Sequence, residues 1–146
     1  MPGRTGKFDA DRDEIVAAGV DTVICLTSLA EAEARAPDYA SAIKHQTLPW
    51  KQVMVPMVDL GLPDDRDAWL MAARAAGDNL REGGKVMIHC AFGVGRTGTT
   101  AICLLMTLGM TLSDATIAVI GAGSEPEDSR QWELLHWAAG LMGLDY

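Results

Sequence analysis

The sequence predicts an α/β fold. Short runs rich in apolar and β-branched residues recur along it, separated by stretches with helical spacing. One such run, Val86–His89, passes through a glycine-spaced loop into a helix that is apolar nearly all round. The 146 residues, 49% of them apolar, suit one core and a single domain spanning residues 1–146.

In order along the chain, Asp9 to Ala18 is predicted as a short helix closed by Gly19, and Asp21 to Leu26 as a buried strand. Ser28 opens an Ala/Glu-rich helical turn, and Pro37 starts another helix running to about Lys44. Gln52 to Val55 resumes strand character until Pro56 removes a ladder donor, and Asp59 to Pro63 is loop. Pro63-Asp64-Asp65 then signals a long helix to about Arg81, with Trp69, Leu70, Ala73, Ala76 and Leu80 on one face, stopped by Gly83-Gly84. Lys85 to His89 is the third strand, and Arg96 to Leu108 is a helix whose apolar residues cover every face, as at the centre of a domain. Ser113-Asp114 is expected to cap a short helix, residues 121–127 to be loop, and Asp128 to Met142 to form the last helix, carrying Trp132, Leu135 and Trp137.

The charge balance excludes some functions. Twelve Lys and Arg against 20 Asp and Glu leave a net charge of −8, a poor match for phosphate backbones or anionic lipid, so neither nucleic acid nor membrane is an expected partner. The longest nearly apolar run, Ala101 to Leu112, is too short to span a bilayer, and the N-terminus has no apolar leader. Cys25, Cys90 and Cys103 are an odd number without metal-ligand spacing, which suits a reduced cytoplasm and predicts no bound metal or cofactor. Cys25 and Cys103 are expected in the core, and His45 and His136 as ordinary surface or partly buried residues.

The chemistry is concentrated in residues 86–98. A cysteine at the exit of a strand is followed six residues later by an arginine at the entry of a helix. A loop of this length can turn the amides of Ala91, Phe92, Gly93, Val94, Gly95 and Arg96 inward beside the positive helix end, making an anion cradle. Gly93 and Gly95 remove Cβ atoms where such a loop needs unusual dihedrals or close approach. Arg96 can offer parallel donors to a phosphoryl group, and the same field favours the Cys90 thiolate, a nucleophile for phosphorus. The Thr97 hydroxyl is placed to steady the sulfur as a leaving group. His89, preceding the nucleophile on its strand, is expected to face the core and fix the cradle by hydrogen bonding.

This stretch resembles the signature His-Cys-x5-Arg-Ser/Thr of the cysteine-dependent protein tyrosine phosphatase superfamily, matched by His89, Cys90, Arg96 and Thr97. Pro2-Gly3-Arg4, Gly19 to Leu26, Val55 to Asp59 and Gly61 to Asp64 resemble its dual-specificity branch, and in particular the small phosphatases related to cyclin-dependent kinase-associated phosphatase. The resemblance implies a protein tyrosine phosphatase-like fold, a central mostly parallel sheet flanked by helices, with the cradle at its carboxyl edge. It implies a monomeric phosphatase acting on phosphorylated protein or peptide through a phosphocysteine, without metal or organic cofactor. Members place a general acid upstream in a Pro-x-x-Asp pattern, matched by Pro56-Met57-Val58-Asp59; Asp64, Asp65 and Asp67 are rivals, of which Asp64 or Asp65 is better explained as the helix cap. Some members position the hydrolytic water with a late glutamine, for which Gln131 is the candidate, an exposed helix residue being its other reading.

Among the four tryptophans, Trp69, Trp132 and Trp137 have core spacing, and Trp50 has no evident task. No Asn-Arg-Tyr pattern deepens the site, and Ala91, Phe92 and Val94 bring no cation to it, which argues against highly charged substrates such as phosphoinositides or RNA 5′ ends. The same loop also suits a catalytically weak phosphate-binding module or a phosphatase of non-protein phosphomonoesters, and similar loops serve two other chemistries. A phosphate-binding module would have lost Cys90, Arg96 or Asp59, sulfur transfer usually lacks the upstream acid, and arsenate reduction wants a resolving cysteine beside the loop.

Overall fold

A computed structural model describes residues 1–144. Its order is α1 (Phe8–Ala17), β1 (Thr22–Cys25), α2 (Leu29–Arg35), α3 (Pro37–His45), β2 (Lys51–Met54), α4 (Arg66–Arg81), β3 (Val86–His89), α5 (Gly95–Thr107), α6 (Leu112–Gly121) and α7 (Ser129–Met142). The strands form one parallel sheet in the order β2-β1-β3, with Cys25 level with Met54 on one side and with His89 on the other.

β1 is the middle strand and is buried along its whole length, which is why its sequence runs apolar without alternation from Val23 onward. Its side chains still divide by period two. Ile24 packs with Trp69, Ile102 and Leu135 in the larger core, while Val23 and Cys25 pack with Phe8, Tyr39 and Trp50 in a smaller core. α5 runs through the larger core against α4, α6 and α7, and nine of its residues are buried, including Arg96.

Of the two aspartates expected to cap α4, it is Asp65 that does so, accepting from the amides of Asp67 and Ala68, both at 3.0 Å. Other boundaries differ from expectation for local reasons. α6 begins at Leu112 because the Thr111 hydroxyl accepts from the Asp114 amide; Ser113 and Asp114 therefore lie in the first turn and are not its cap. α5 starts at Gly95, one residue before the expected arginine. Trp69 is fully buried as expected, whereas Trp132 and Trp137 lie half-buried at the core margin, with the Arg66 guanidinium 4.3 Å from the centroid of Trp137. Among the described residues no helix is long and apolar enough to cross a membrane.

Because the strands are parallel and in register, their carboxyl ends share one edge. Leu26 donates to the His89 carbonyl there, and Val55 and Met57 donate to the carbonyls of Cys25 and Leu26. The loop into α2, the loop 55–65 and the loop 90–94 therefore leave side by side, at the edge where open α/β sheets bind ligands.

Candidate active site

Cys90 lies at the end of β3, 3% exposed. Its sulfur accepts from the Thr97 hydroxyl at 3.0 Å and from the Gly93 amide at 3.2 Å. Burial opposes ionisation of the thiol, but Thr97, the Gly93 amide and the amides of Thr97 and Phe92 together outweigh it, and the pKa lies below its ordinary value. The two loop glycines do different things. Gly93 has a φ of +78°, a left-handed conformation, whereas a Cβ on Gly95 would strike the Glu127 carboxylate. Gly98, one helical turn on, is a further requirement: a Cβ there would lie 2.6 Å from the Glu125 amide nitrogen. Segment 124–127 thus lies against the loop, and the Ser124 hydroxyl donates to the Gly93 carbonyl.

Arg96 is only 3% exposed. Its Nη1 donates to both carboxylate oxygens of Glu31 at 3.0 Å and to the Met57 carbonyl at 3.2 Å, leaving Nη2 3.9 Å from the Asp59 carboxylate. Burial works against the guanidinium charge, yet the Glu31 carboxylate raises its pKa. Nη1 is thus committed to protein, while Nη2 has no hydrogen bond among the described residues. Glu31 has no counterpart among the candidates read from the sequence, and the reason is instructive. Ser28-Leu29-Ala30-Glu31 has the form of a capping box, which would turn Glu31 back to the start of its own helix. Ser28 does accept from the Glu31 amide at 3.1 Å, but the Glu31 carboxylate goes to Arg96.

Asp59 stands on the turn 58–62, its side chain 58% exposed. The turn closes with Gly61 N–H donating to Val58 O and Val58 N–H to Leu62 O, and Leu60 adopts a φ of +57°. Two side chains of α7 hold it from outside: Arg130 donates to Leu60 O at 3.2 Å and Gln131 to Gly61 O at 3.1 Å. Gln131 is wholly buried, which corrects its reading as an exposed helix residue. Its amide oxygen accepts from Glu127 N–H at 2.8 Å, so this side chain ties the acid-bearing turn to the segment behind the cradle.

His89 faces the smaller core. The Trp50 indole can only donate, so the Gln52 amide oxygen must face it, at 2.8 Å. Gln52 Nε2 then donates to the Tyr39 oxygen, and the Tyr39 proton goes to His89 Nε2, each at 2.7 Å. His89 is left with its proton on Nδ1, directed at the Cys90 carbonyl 3.3 Å away. Burial, followed by the positive charge of the amino terminus, lowers the His89 pKa to about 4, so the ring is neutral and the chain of donors runs one way. Trp50, without a task in the sequence, is its outer end.

The structure therefore gathers His89, Cys90, Ala91, Gly93, Val94, Gly95, Arg96, Thr97 and Asp59 at one sheet edge, with Gln131 behind the turn. Phe92 projects outward, 54% exposed. Cys25 and Cys103 are buried, and the exposed His45 is bonded to Ser41. Among the described residues no group of three or more His, Cys, Asp or Glu could hold a metal.

A family model, the Swiss Army Knife protein, DSP-PTPase phosphatase domain, matches residues 1–134. The solved structure of Tk-PTP in its active form is similar with a TM-score of 0.73 and 27% identity, over 94% of this chain and 86% of that one. Kinase associated phosphatase, with serine substituted for its catalytic-site cysteine, shares the fold at a TM-score of 0.77 and 21% identity, covering 100% of this chain and 86% of its own. So does the human tyrosine phosphatase-like serine/threonine/tyrosine-interacting protein, at 0.69 and 20%, covering 91% and 85%. The comparison with curated proteins finds no match. A family match over that much of the chain decides membership: the protein belongs to the DSP-PTPase phosphatase domain family and is a cysteine-dependent phosphatase of the dual-specificity group.

Proposed function

We propose that the protein hydrolyses phosphotyrosine monoesters, and phosphoserine and phosphothreonine monoesters beside them, in phosphorylated proteins or peptides by way of a phosphocysteine. The observation that carries this reading is the convergence on one sulfur of the Thr97 hydroxyl and the loop amides, next to a buried arginine whose Nη2 has no hydrogen bond among the described residues. Cys90 Sγ attacks phosphorus in line, forming the S–P bond as the P–O bond to the leaving group breaks. Arg96 and the amides of residues 91–96 hold the non-bridging oxygens, and Asp59 gives its proton to the departing oxygen. In the second half Asp59 takes a proton from water, the water oxygen bonds phosphorus, and the S–P bond breaks to return the thiolate, which Thr97 steadies. Gln131 supports this step by holding the Asp59 turn in place. No step calls for a metal or organic cofactor. The three cysteines, all free, suit a monomer working in a reducing cytoplasm.

The test is hydrolysis of a small aryl phosphate against pH without added metal, for the wild type, Cys90→Ser and Asp59→Asn. Turnover lost in Cys90→Ser, and in Asp59→Asn a lost basic limb with a steeper dependence on leaving-group pKa, is the expected result. Alkylation of Cys90 by iodoacetate should titrate below the ordinary thiol range and move upward in Thr97→Val. A wild type that binds tungstate yet turns over no phosphomonoester would make the protein a binding module and overturn the reading.

A further inference from the structure

The catalytic loop itself carries no cation outside Arg96, but the fold brings two to its outer face. The Arg4 guanidinium carbon lies 4.7 Å from the centroid of the Phe92 ring, and that of Arg35 lies 4.9 Å from the same centroid. Arg4 is also fastened to the loop backbone, its Nη1 donating to the Ala91 carbonyl at 3.0 Å. Arg35 stands one helical turn after Glu31, so α2 supplies both the carboxylate that holds Arg96 and a cation at the rim.

With 20 acidic residues against 12 basic ones, carboxylates are plentiful, and Arg12, Arg81, Arg96 and Arg130 each pair with one, whereas among the described residues Arg66 and Arg74 do not, Arg66 lying over the Trp137 ring instead. Arg4 and Arg35 face none among the described residues, and they share one exposed ring two residues from the nucleophile. Each is drawn to the aromatic face, while the two like charges repel each other. An anion beside the ring would relieve that repulsion and take a charge-assisted hydrogen bond from a guanidinium there. The other loop at the mouth offers no competing cation. It presents Val58, Leu60 and Leu62, and the nearby Arg130 is held by Asp128.

We infer that Arg4, Phe92 and Arg35 form a subsite for a second acidic group, so that the preferred substrate is a phosphopeptide with carboxylate or phosphoryl groups flanking the scissile phosphate. The inference rests on the phosphatase reading and adds the substrate class to it. A soluble peptide fits better than an anionic membrane surface, which the net charge of −8 would repel.

The experiment compares kcat/KM for phosphotyrosine peptides of equal length flanked by glutamate or by glutamine, with para-nitrophenyl phosphate as a substrate lacking any second anion. A third peptide carries a neighbouring phosphoserine, which separates carboxylate from phosphoryl recognition. The wild type should favour the acidic peptides roughly tenfold, less at high salt, and Arg35→Gln should reduce the preference to about two- to threefold. Arg4→Gln combined with Arg35→Gln should abolish it, while Arg35→Gln alone leaves para-nitrophenyl phosphate hydrolysis within about twofold. Equal rates on acidic and neutral peptides, a preference that survives in the double variant, or much faster turnover of a phosphomonoester in anionic vesicles would overturn the inference. Failure on para-nitrophenyl phosphate as well would instead indict the phosphatase reading, so the two outcomes are distinguishable.

Discussion

Loop 90–94 and turn 58–62 meet across Arg96 and are held in different ways. In the first, every tie to the nucleophile comes from within seven residues: the Gly93 amide, the Thr97 hydroxyl, and the His89 ring on the carbonyl behind it. In the second, the Asp59 carboxylate is more than half exposed, and the turn is steadied from α7 by Arg130 and Gln131, about 70 residues away in sequence. The comparison shows that the contacts on the Cys90 sulfur are encoded locally and buried, although the loop around it is also tied from afar, by Arg4 on the Ala91 carbonyl and Ser124 on the Gly93 carbonyl, and Arg96 by Glu31. Asp59, the proposed proton donor, stands on a turn with few buried contacts, and such segments open at low free energy, as closing on a leaving group and releasing product would require.

The largest effect expected from breaking this contrast falls on the acid. Asp59→Asn should lower kcat by about 10²–10⁴-fold on aryl phosphates with poor leaving groups and far less on good ones, while leaving the pH profile of Cys90 alkylation unmoved. A uniform loss across leaving groups would point to a displaced Arg96 instead, and no loss would hand the role to Asp64. Glu31→Gln comes next. Removing the charged partner of a 3% exposed arginine should cut kcat/KM by about 10–100-fold and lower the melting temperature, with the activity loss larger than that of any single surface ion-pair variant such as Asp78→Asn.

Gln131→Ala sharpens the comparison further, because it removes the link between the two regions while touching neither Cys90 nor Asp59. It leaves the Glu127 amide and the Gly61 carbonyl without their partner, each a cost of about 1–3 kcal/mol if water does not enter. Steady-state kinetics should show kcat down about tenfold with Cys90 alkylation unchanged. If alkylation slows in parallel, segment 124–127 is supporting the cradle more than the turn.

The same contrast separates what the sequence reveals from what it conceals. The alternation of β1, β2 and β3 with helices, the nucleophile loop and the central apolar helix are all local patterns, and each lies within a residue or two of where the sequence places it. Parallel pairing and the shared carboxyl edge rest on long-range contacts and enter at the sequence level only through the family resemblance. Glu31 was hidden because its spacing from Ser28 has a sufficient local explanation as a cap. Arg4 and Arg35 were hidden because a cation at the rim need not come from the loop it serves. Trp50 has no evident task in the sequence because its partner, Gln52, lies on β2, and the far end of that chain is His89 on β3.

The smallest effect concerns that buried chain, and its sign can be worked out. In the fold His89 has a pKa of about 4, against an ordinary value near 6.5, so between these limits the unfolded chain binds a proton that the folded one does not. Stability from keeping the ring neutral is fully present above about pH 6.5 and is lost progressively as pH falls toward 4. Thermal unfolding of the wild type across that window should show the decline, and His89→Asn should flatten part of it. Tyr39→Phe keeps the burial that is the main cause of the low pKa but removes the hydroxyl that orients the ring. It should therefore preserve the pH dependence of stability while lowering kcat only a few-fold. If Tyr39→Phe abolished the pH dependence together with activity, the hydroxyl and not burial would be what keeps His89 neutral, and the smaller core would be contributing directly to the charge state of the site.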